Sequence, residues 1–127
     1  MSDAGADDGR LTPCPASPNC VCSDDDGASH GIAPLAAGQN LDAAWAALLD
    51  YLSGHRGFRI VAQRDDYIHA EARTRLLRFV DDVEFQRRPA QGHIAVRSAS
   101  RIGYSDLGTN RRRIEAIRKA LAGALAR

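Results

Sequence analysis

The sequence has no long hydrophobic run, few aromatic residues and almost no lysine. No apolar stretch approaches the roughly 18 residues needed to cross a bilayer, so we predict no membrane span. Aromatic side chains account for 6 % of the 127 residues, and a single lysine accompanies sixteen arginines. Nucleic-acid-binding domains are usually strongly basic, whereas the net charge here is +1, so we expect no nucleic-acid partner.

The N-terminus lacks the features of a targeting segment. Residues 1–9 contain neither the basic region nor the apolar region of a signal peptide, so the sequence as written predicts a cytoplasmic protein. Low hydrophobicity and high acidity predict a disordered acidic arm over residues 1–10. The length of the remainder predicts a single domain over residues 11–127.

Charge is distributed unevenly along the chain. Residues 1–30 hold six acids against one arginine, a net charge of −5, whereas residues 97–127 hold eight bases against two acids, a net charge of +6. The densest basic run is Arg111–Arg113, at the predicted start of the last helix, where cations oppose the helix dipole. We therefore expect these guanidinium groups to be compensated by the chain's own carboxylates or by a bound anion.

Hydrophobic periodicity predicts two helices and four strands after a proline-rich extended segment over residues 11–38. Asn40 is the predicted N-cap of the first helix and Gly54 its stop signal. The order predicts an α+β fold of two layers, in which two helices cover one face of a four-stranded antiparallel meander sheet. The later predicted elements are strands Phe58–Gln63, Tyr67–Arg73, Leu76–Phe85 and His93–Ile102, and a helix from about Thr109 to Ala126.

The same periodicity assigns side chains to the two faces of the sheet. The inward face and the helices are predicted to form one core from Trp45, Ile68, Phe79, Val83, Val96, Ile114, Ile117 and Leu121. The other face is polar and is left to solvent, to the N-terminal segment or to a ligand. It is predicted to carry His69, Glu71, Arg73, Arg78, Asp82, Glu84, Arg97 and Arg101.

Asp81 interrupts the inward apolar pattern, and a buried carboxylate needs charged or N–H partners. We therefore predict a structural network at the junction of the fourth predicted strand with the last helix, built from Asp81, Asp82, Ser98, Ser100, Asp106 and Asn110. Arginine side chains that take no part in this network would bind a carboxylate or a phosphate ligand. The candidate ligand-binding residues are Arg97, Arg101, Arg111, Arg112 and Arg113.

An enzymatic alternative uses His69 and Glu71, which share a strand face and suit general acid–base catalysis. A two-residue turn at Thr74-Arg75 would set Glu71 opposite Arg78, which favours a cross-strand ion pair instead. Candidate serine nucleophiles at positions 98, 100 and 105 lack a Gly-x-Ser-x-Gly elbow or other activating context.

Four stretches together resemble the family catalogued as domain of unknown function 1499. They cover residues 13–21, 67–71, 78–85 and 97–113, and the resemblance spans about residues 11–121. The family carries no established activity or catalytic residues. Relatives occur in bacteria and in plastid-bearing organisms. In them the domain often follows a signal sequence or membrane helices, and these proteins are often exported or membrane-attached. The chain departs from the family pattern at Cys22, where serine is usual.

The three cysteines lie within the first 22 residues. With His30 they give the spacing C-x5-C-x-C-x7-H, which differs from paired C-x2-C zinc knuckles, so we predict no metal site and no cofactor. Cys14 and Cys20 are disulfide or redox candidates, since a disulfide there would close a proline-stiffened loop. A metal- or redox-responsive module using Cys14, Cys20 and Cys22 is the second alternative.

These observations favour a small non-catalytic binding or accessory domain over the two alternatives. The expected partner is a small anionic ligand or a protein, and the expected site is the strand-to-helix junction.

Overall fold

The computed structural model describes residues 6–7, 10–73, 79–101 and 108–126. Its order of elements is three short strands, one helix, four longer strands and a final helix. The short strands are β1 (Ala6–Asp7), β2 (Arg10–Leu11) and β3 (Cys20–Cys22). They are followed by α1 (Leu41–Gly54), β4 (Phe58–Arg64), β5 (Tyr67–Arg73), β6 (Val80–Arg88), β7 (His93–Ser100) and α2 (Thr109–Leu125).

The main sheet is antiparallel throughout and has the strand order β3-β7-β6-β5-β4. Strands β4 to β7 form the predicted meander, and α1 and α2 pack against each other and against one face of it. The α+β class, the antiparallel sheet and the two helices are therefore confirmed, but the sheet has five strands instead of four. Among the described residues, neither helix is long and apolar enough to cross a membrane.

The fifth strand, β3, comes from the segment predicted to be merely extended. It pairs with β7, placing Cys20 opposite Ala99 and Cys22 opposite Arg97. All three of its residues are buried, so it has no alternation of polar and apolar side chains to reveal a strand. The preceding segment covers part of the polar sheet face, where Leu11 packs in a second apolar cluster with Tyr67.

Local sequence signals explain where the helices begin. The side-chain oxygen of Asn40 accepts a hydrogen bond from the backbone N–H of Ala43 at 2.9 Å and caps α1 as predicted. Helix α2 follows Gly108, whose φ of 81° lies in the left-handed region that favours glycine. Its buried stripe includes Ile114, Ile117 and Leu121.

The predicted core is present with one exception. Trp45 and the other predicted members belong to a single buried cluster between helices and sheet, whereas Phe79 is 42 % exposed. The prediction for Phe79 was wrong because β6 begins at Val80, one residue later, and alternation assigns faces only within a paired strand.

The register of the β5–β6 hairpin also differs from the prediction. Arg73 pairs with Val80 and Glu71 with Asp82, so Glu71 does not lie opposite Arg78. The connection between these strands is longer than the predicted two-residue turn. Arg78 itself, Asp106, Ser105 and most of the acidic arm predicted over residues 1–10 lie outside the described residues.

Candidate functional site

A polar network surrounds Asp81 at the junction of β7 and α2. The Asp81 carboxylate is 2 % exposed, and its Oδ2 lies 2.7 Å from Nη2 of Arg113. The other terminal nitrogen of Arg113 donates to Oδ1 of Asn110 at 2.8 Å and to the Ser98 hydroxyl at 3.2 Å. Arg113 is thus held by an ion pair with Asp81 and by hydrogen bonds to Asn110 and Ser98.

Asn110 connects this network to the N-terminal segment. Its Oδ1 accepts from the Ser98 hydroxyl at 2.5 Å. Its Nδ2 donates to the Ser100 hydroxyl at 3.0 Å and to the backbone oxygen of Asn19 at 3.1 Å. Because Asn110 is fully buried, these bonds satisfy its amide and fix the start of α2 against the sheet.

Charged side chains in the middle of the polar sheet face are buried. Arg97 and Glu84 are both 0 % exposed, and Nη1 of Arg97 lies 3.5 Å from Oε1 of Glu84. The Tyr67 hydroxyl donates to Oε2 of Glu84 at 2.5 Å. Burial, together with this carboxylate, raises the pKa of Tyr67 well above its ordinary value. Arg97 therefore neutralises a buried carboxylate and does not face solvent.

His69, Glu71, Asp82 and Arg101 form one cluster at the edge of that face. Nε2 of His69 lies 2.8 Å from Oδ1 of Asp82. The Arg101 guanidinium donates to both Asp82 oxygens at 2.8 and 2.9 Å and to Oε2 of Glu71 at 2.9 Å. Although burial acts to raise the pKa of Asp82, hydrogen bonds from Arg101 and His69 outweigh it and lower that pKa. Both predicted catalytic candidates are thereby tied to a charged neighbour.

The cysteines form a disulfide between Cys14 and Cys20, while Cys22 is a free, buried thiol. Burial raises the pKa of Cys22, which disfavours its thiolate. Nε2 of His30 hydrogen-bonds to the backbone oxygen of Ser17 at 2.9 Å. The four residues of the metal-site alternative are thus engaged separately, and within the described ranges no group of three or more His, Cys, Asp or Glu residues is placed to hold a metal ion.

The two remaining arginines at the start of α2, Arg111 and Arg112, each have a neutral oxygen among their contacts. Nη2 of Arg111 donates to the backbone oxygen of Ser29 at 3.3 Å. Nη2 of Arg112 is 3.5 Å from the Thr109 hydroxyl, and Arg112 is exposed. Of the five predicted ligand-binding arginines, therefore, Arg97, Arg101 and Arg113 are neutralised by the chain's own carboxylates.

A groove of about 200 Å³ opens beside Arg113, between the end of α1, the ends of β4 and β5, and α2. Three aromatic rings in its lining lie close to one another. The ring centroids of Tyr51 and His55 are 5.2 Å apart, those of His55 and Phe58 5.3 Å, and those of Tyr51 and Phe58 6.0 Å. The full lining is Tyr51, His55, Gly57, Phe58, Ala72, Arg73, Arg113 and Ala116.

Arg73 distinguishes this groove from the networks described above. It is the last residue of β5, is exposed, and has no ion-pair partner among the described residues. The sequence analysis assigned Arg73 to the polar sheet face, and it did not associate Arg73 with Tyr51, His55 or Phe58. A usable signal was the position of Arg73 at a strand end, where the side chain is not confined to one sheet face.

The fold and these contacts define a small α+β domain whose charged sheet face is largely closed by its own side chains and its N-terminal segment. The family model described as "Protein of unknown function (DUF1499)" matches residues 10–121, so the chain belongs to this family and the resemblance is confirmed. A comparison with curated proteins gives no match.

Proposed function

We propose that the protein is a non-catalytic binding domain that accepts a small organic anion in the groove between α1, β5 and α2. The observation that carries this proposal is Arg73, a cation without an ion-pair partner in the described chain, at the rim of a mainly apolar groove. Pockets that combine apolar walls with a few polar groups are typical small-molecule sites. The groove adjoins Arg113, one of the predicted ligand-binding arginines, but it is not the strand-to-helix junction where an anion site was expected.

Local charge supports a ligand with a single negative charge. Arg113 also lines the groove, but Asp81 offsets its charge at 2.7 Å. Arg73 therefore contributes the uncompensated cation, and a guanidinium pairs well with a planar carboxylate. Exposed Arg112 at the nearby start of α2 adds to the positive potential at this end of the domain.

A binding role is favoured over the enzymatic alternative by the contacts of His69 and Glu71. Both side chains are engaged by partners in the same cluster, His69 by Asp82 and Glu71 by Arg101. A general acid or base must reach the proton that it transfers, and neither residue lines the groove. The cluster instead links β5 and β6 to Arg101.

Titration of the protein with acetate, followed by amide chemical shifts in an NMR spectrum, tests this proposal. We expect saturable shifts at the groove and a loss of about tenfold in affinity for Arg73→Ala, which corresponds to about 1.4 kcal/mol. Because Arg73 is exposed, the variant should melt like the parent protein.

Arg59→Ala is the matched control. Arg59 is also an exposed arginine, but it lies on the neighbouring strand β4 and is absent from the groove lining. We expect the Arg59→Ala variant to bind acetate with the affinity of the parent protein. Shifts that do not saturate, or equal losses for Arg59→Ala and Arg73→Ala, would contradict an anion site in the groove.

A further inference from the structure

We infer that the groove selects a single-ring aromatic monocarboxylate, an inference that rests on the proposed anion site and names its ligand class. The first support is the aromatic wall. Tyr51, His55 and Phe58 contact one another in tilted and edge-to-face arrangements, with interplanar angles of 33°, 57° and 65°. A further ring joins such a cluster in the same offset or edge-on geometries, which add to the energy of simple apolar burial.

The size of the groove restricts the ligand. Drug-sized ligands occupy pockets of roughly 300–1,000 Å³, whereas this groove measures about 200 Å³. Its lining also includes the small side chains of Ala72 and Ala116. We therefore expect one ring with a short acidic substituent, and we expect fused or multiple rings to be excluded.

His55 supplies a second polar contact suited to a carboxylate. Its Nδ1 accepts a hydrogen bond from the backbone N–H of Gly57 at 3.3 Å, so in the neutral ring Nε2 carries the proton. A carboxylate has two oxygens and would be recognised by Arg73 together with this N–H. A phosphate dianion would leave one charge uncompensated, because Asp81 already neutralises Arg113.

Affinities for four probes test the ligand class: benzoate, acetate, cyclohexanecarboxylate and benzyl alcohol. We expect benzoate to bind about tenfold more tightly than acetate, because aromatic contacts add to apolar burial. We expect cyclohexanecarboxylate to bind less tightly than benzoate. Benzyl alcohol, which has the ring without the charge, should bind more weakly than benzoate and cyclohexanecarboxylate.

The variant Phe58→Leu separates the aromatic wall from the charge. It keeps an apolar side chain at a half-buried position, and we expect it to reduce the ratio of benzoate affinity to acetate affinity. Equal affinities of the parent protein for benzoate and acetate, or for benzoate and cyclohexanecarboxylate, would overturn the aromatic class but leave the anion site intact. Absence of Arg73-dependent binding by every acid would overturn both.

Discussion

The Asp81 carboxylate and the Arg113 guanidinium lie 2.7 Å apart. Without the other group, each charge would be unfavourable at its position. Asp81 projects from β6 into the face that packs against the helices, where an unpaired charge is costly. Arg113 lies in the first turns of α2, where the helix dipole opposes a cation. Pairing removes both penalties and fixes the junction of sheet and helix, and it also takes Arg113 out of the set of arginines that can hold an external anion.

Asp81→Asn should lower the free energy of unfolding by roughly 3–5 kcal/mol, because it leaves the Arg113 charge largely buried without its counterion. Urea denaturation measures this change. Asp66→Asn, which alters an exposed aspartate in the β4–β5 turn, should unfold like the parent. An unchanged midpoint for Asp81→Asn would mean that Asp81 does not compensate Arg113, and the arginine would then be open to an external anion.

Trp45→Ala and Phe79→Ala should differ sharply in stability. Trp45 is 6 % exposed within the main core, so its truncation should cost about 3–5 kcal/mol. Phe79 is 42 % exposed, and its truncation should cost no more than about 1 kcal/mol. Thermal or urea unfolding of the two variants distinguishes these values. Similar large losses for both would place Phe79 in the core after all.

Stability should fall as the pH decreases below about 4, in part through Asp24. Arg88 donates to both oxygens of Asp24 at 2.6 Å, and this holds the pKa of Asp24 below its ordinary value of 3.8. The stabilisation is therefore complete above the unfolded-state pKa and disappears as the pH falls through the folded-state pKa. Urea midpoints measured from about pH 6 to about pH 3 should decline less steeply in Asp24→Asn than in the parent. If the urea midpoints of Asp24→Asn and the parent declined in parallel, the pKa of Asp24 would be the same in the folded and unfolded states.

The disulfide between Cys14 and Cys20 closes a short loop, with a sequence separation of 6. The loop-entropy relation gives about 2 kcal/mol for its contribution, so the double variant Cys14→Ser, Cys20→Ser should lose about that amount. Without reductant, one thiol per chain should react with iodoacetamide after denaturation, and none in the folded protein, because Cys22 is fully buried. Reaction of three thiols in the unfolded, unreduced protein would contradict the disulfide.

Patterns local in sequence predicted most of the fold. The spacing of Trp45, Leu48 and Leu52 and the cap at Asn40 define α1 without tertiary information. Strand β3 was not predicted because Cys20, Val21 and Cys22 are all buried, so no alternation of polar and apolar side chains indicates a strand there. Phe79 was misassigned because the end of a strand is set by its hydrogen-bonded partner, which periodicity does not reveal.

The candidate site was less accessible to sequence analysis. The pairing of Asp81 with the arginine run could be predicted because burial and helix polarity each demand a counterion. The choice of Arg113 depends on the rotation of α2 against the sheet, which no local pattern fixes. The groove was missed because it joins the end of α1, two strand ends and α2, which are distant in sequence and meet only in the folded chain.

The central claim, that a carboxylate binds in the groove and not at the arginine run, is tested most directly by mapping benzoate-induced amide shifts onto the chain. We expect the largest shifts at Gly57, Phe58, Arg73 and Ala116, with small shifts at Arg111 and Arg112. The shifts should follow one binding curve, with an affinity that falls about tenfold in Arg73→Ala and is unchanged in Arg59→Ala. Shifts concentrated at Arg111 and Arg112, or unaffected by Arg73→Ala, would contradict the claim.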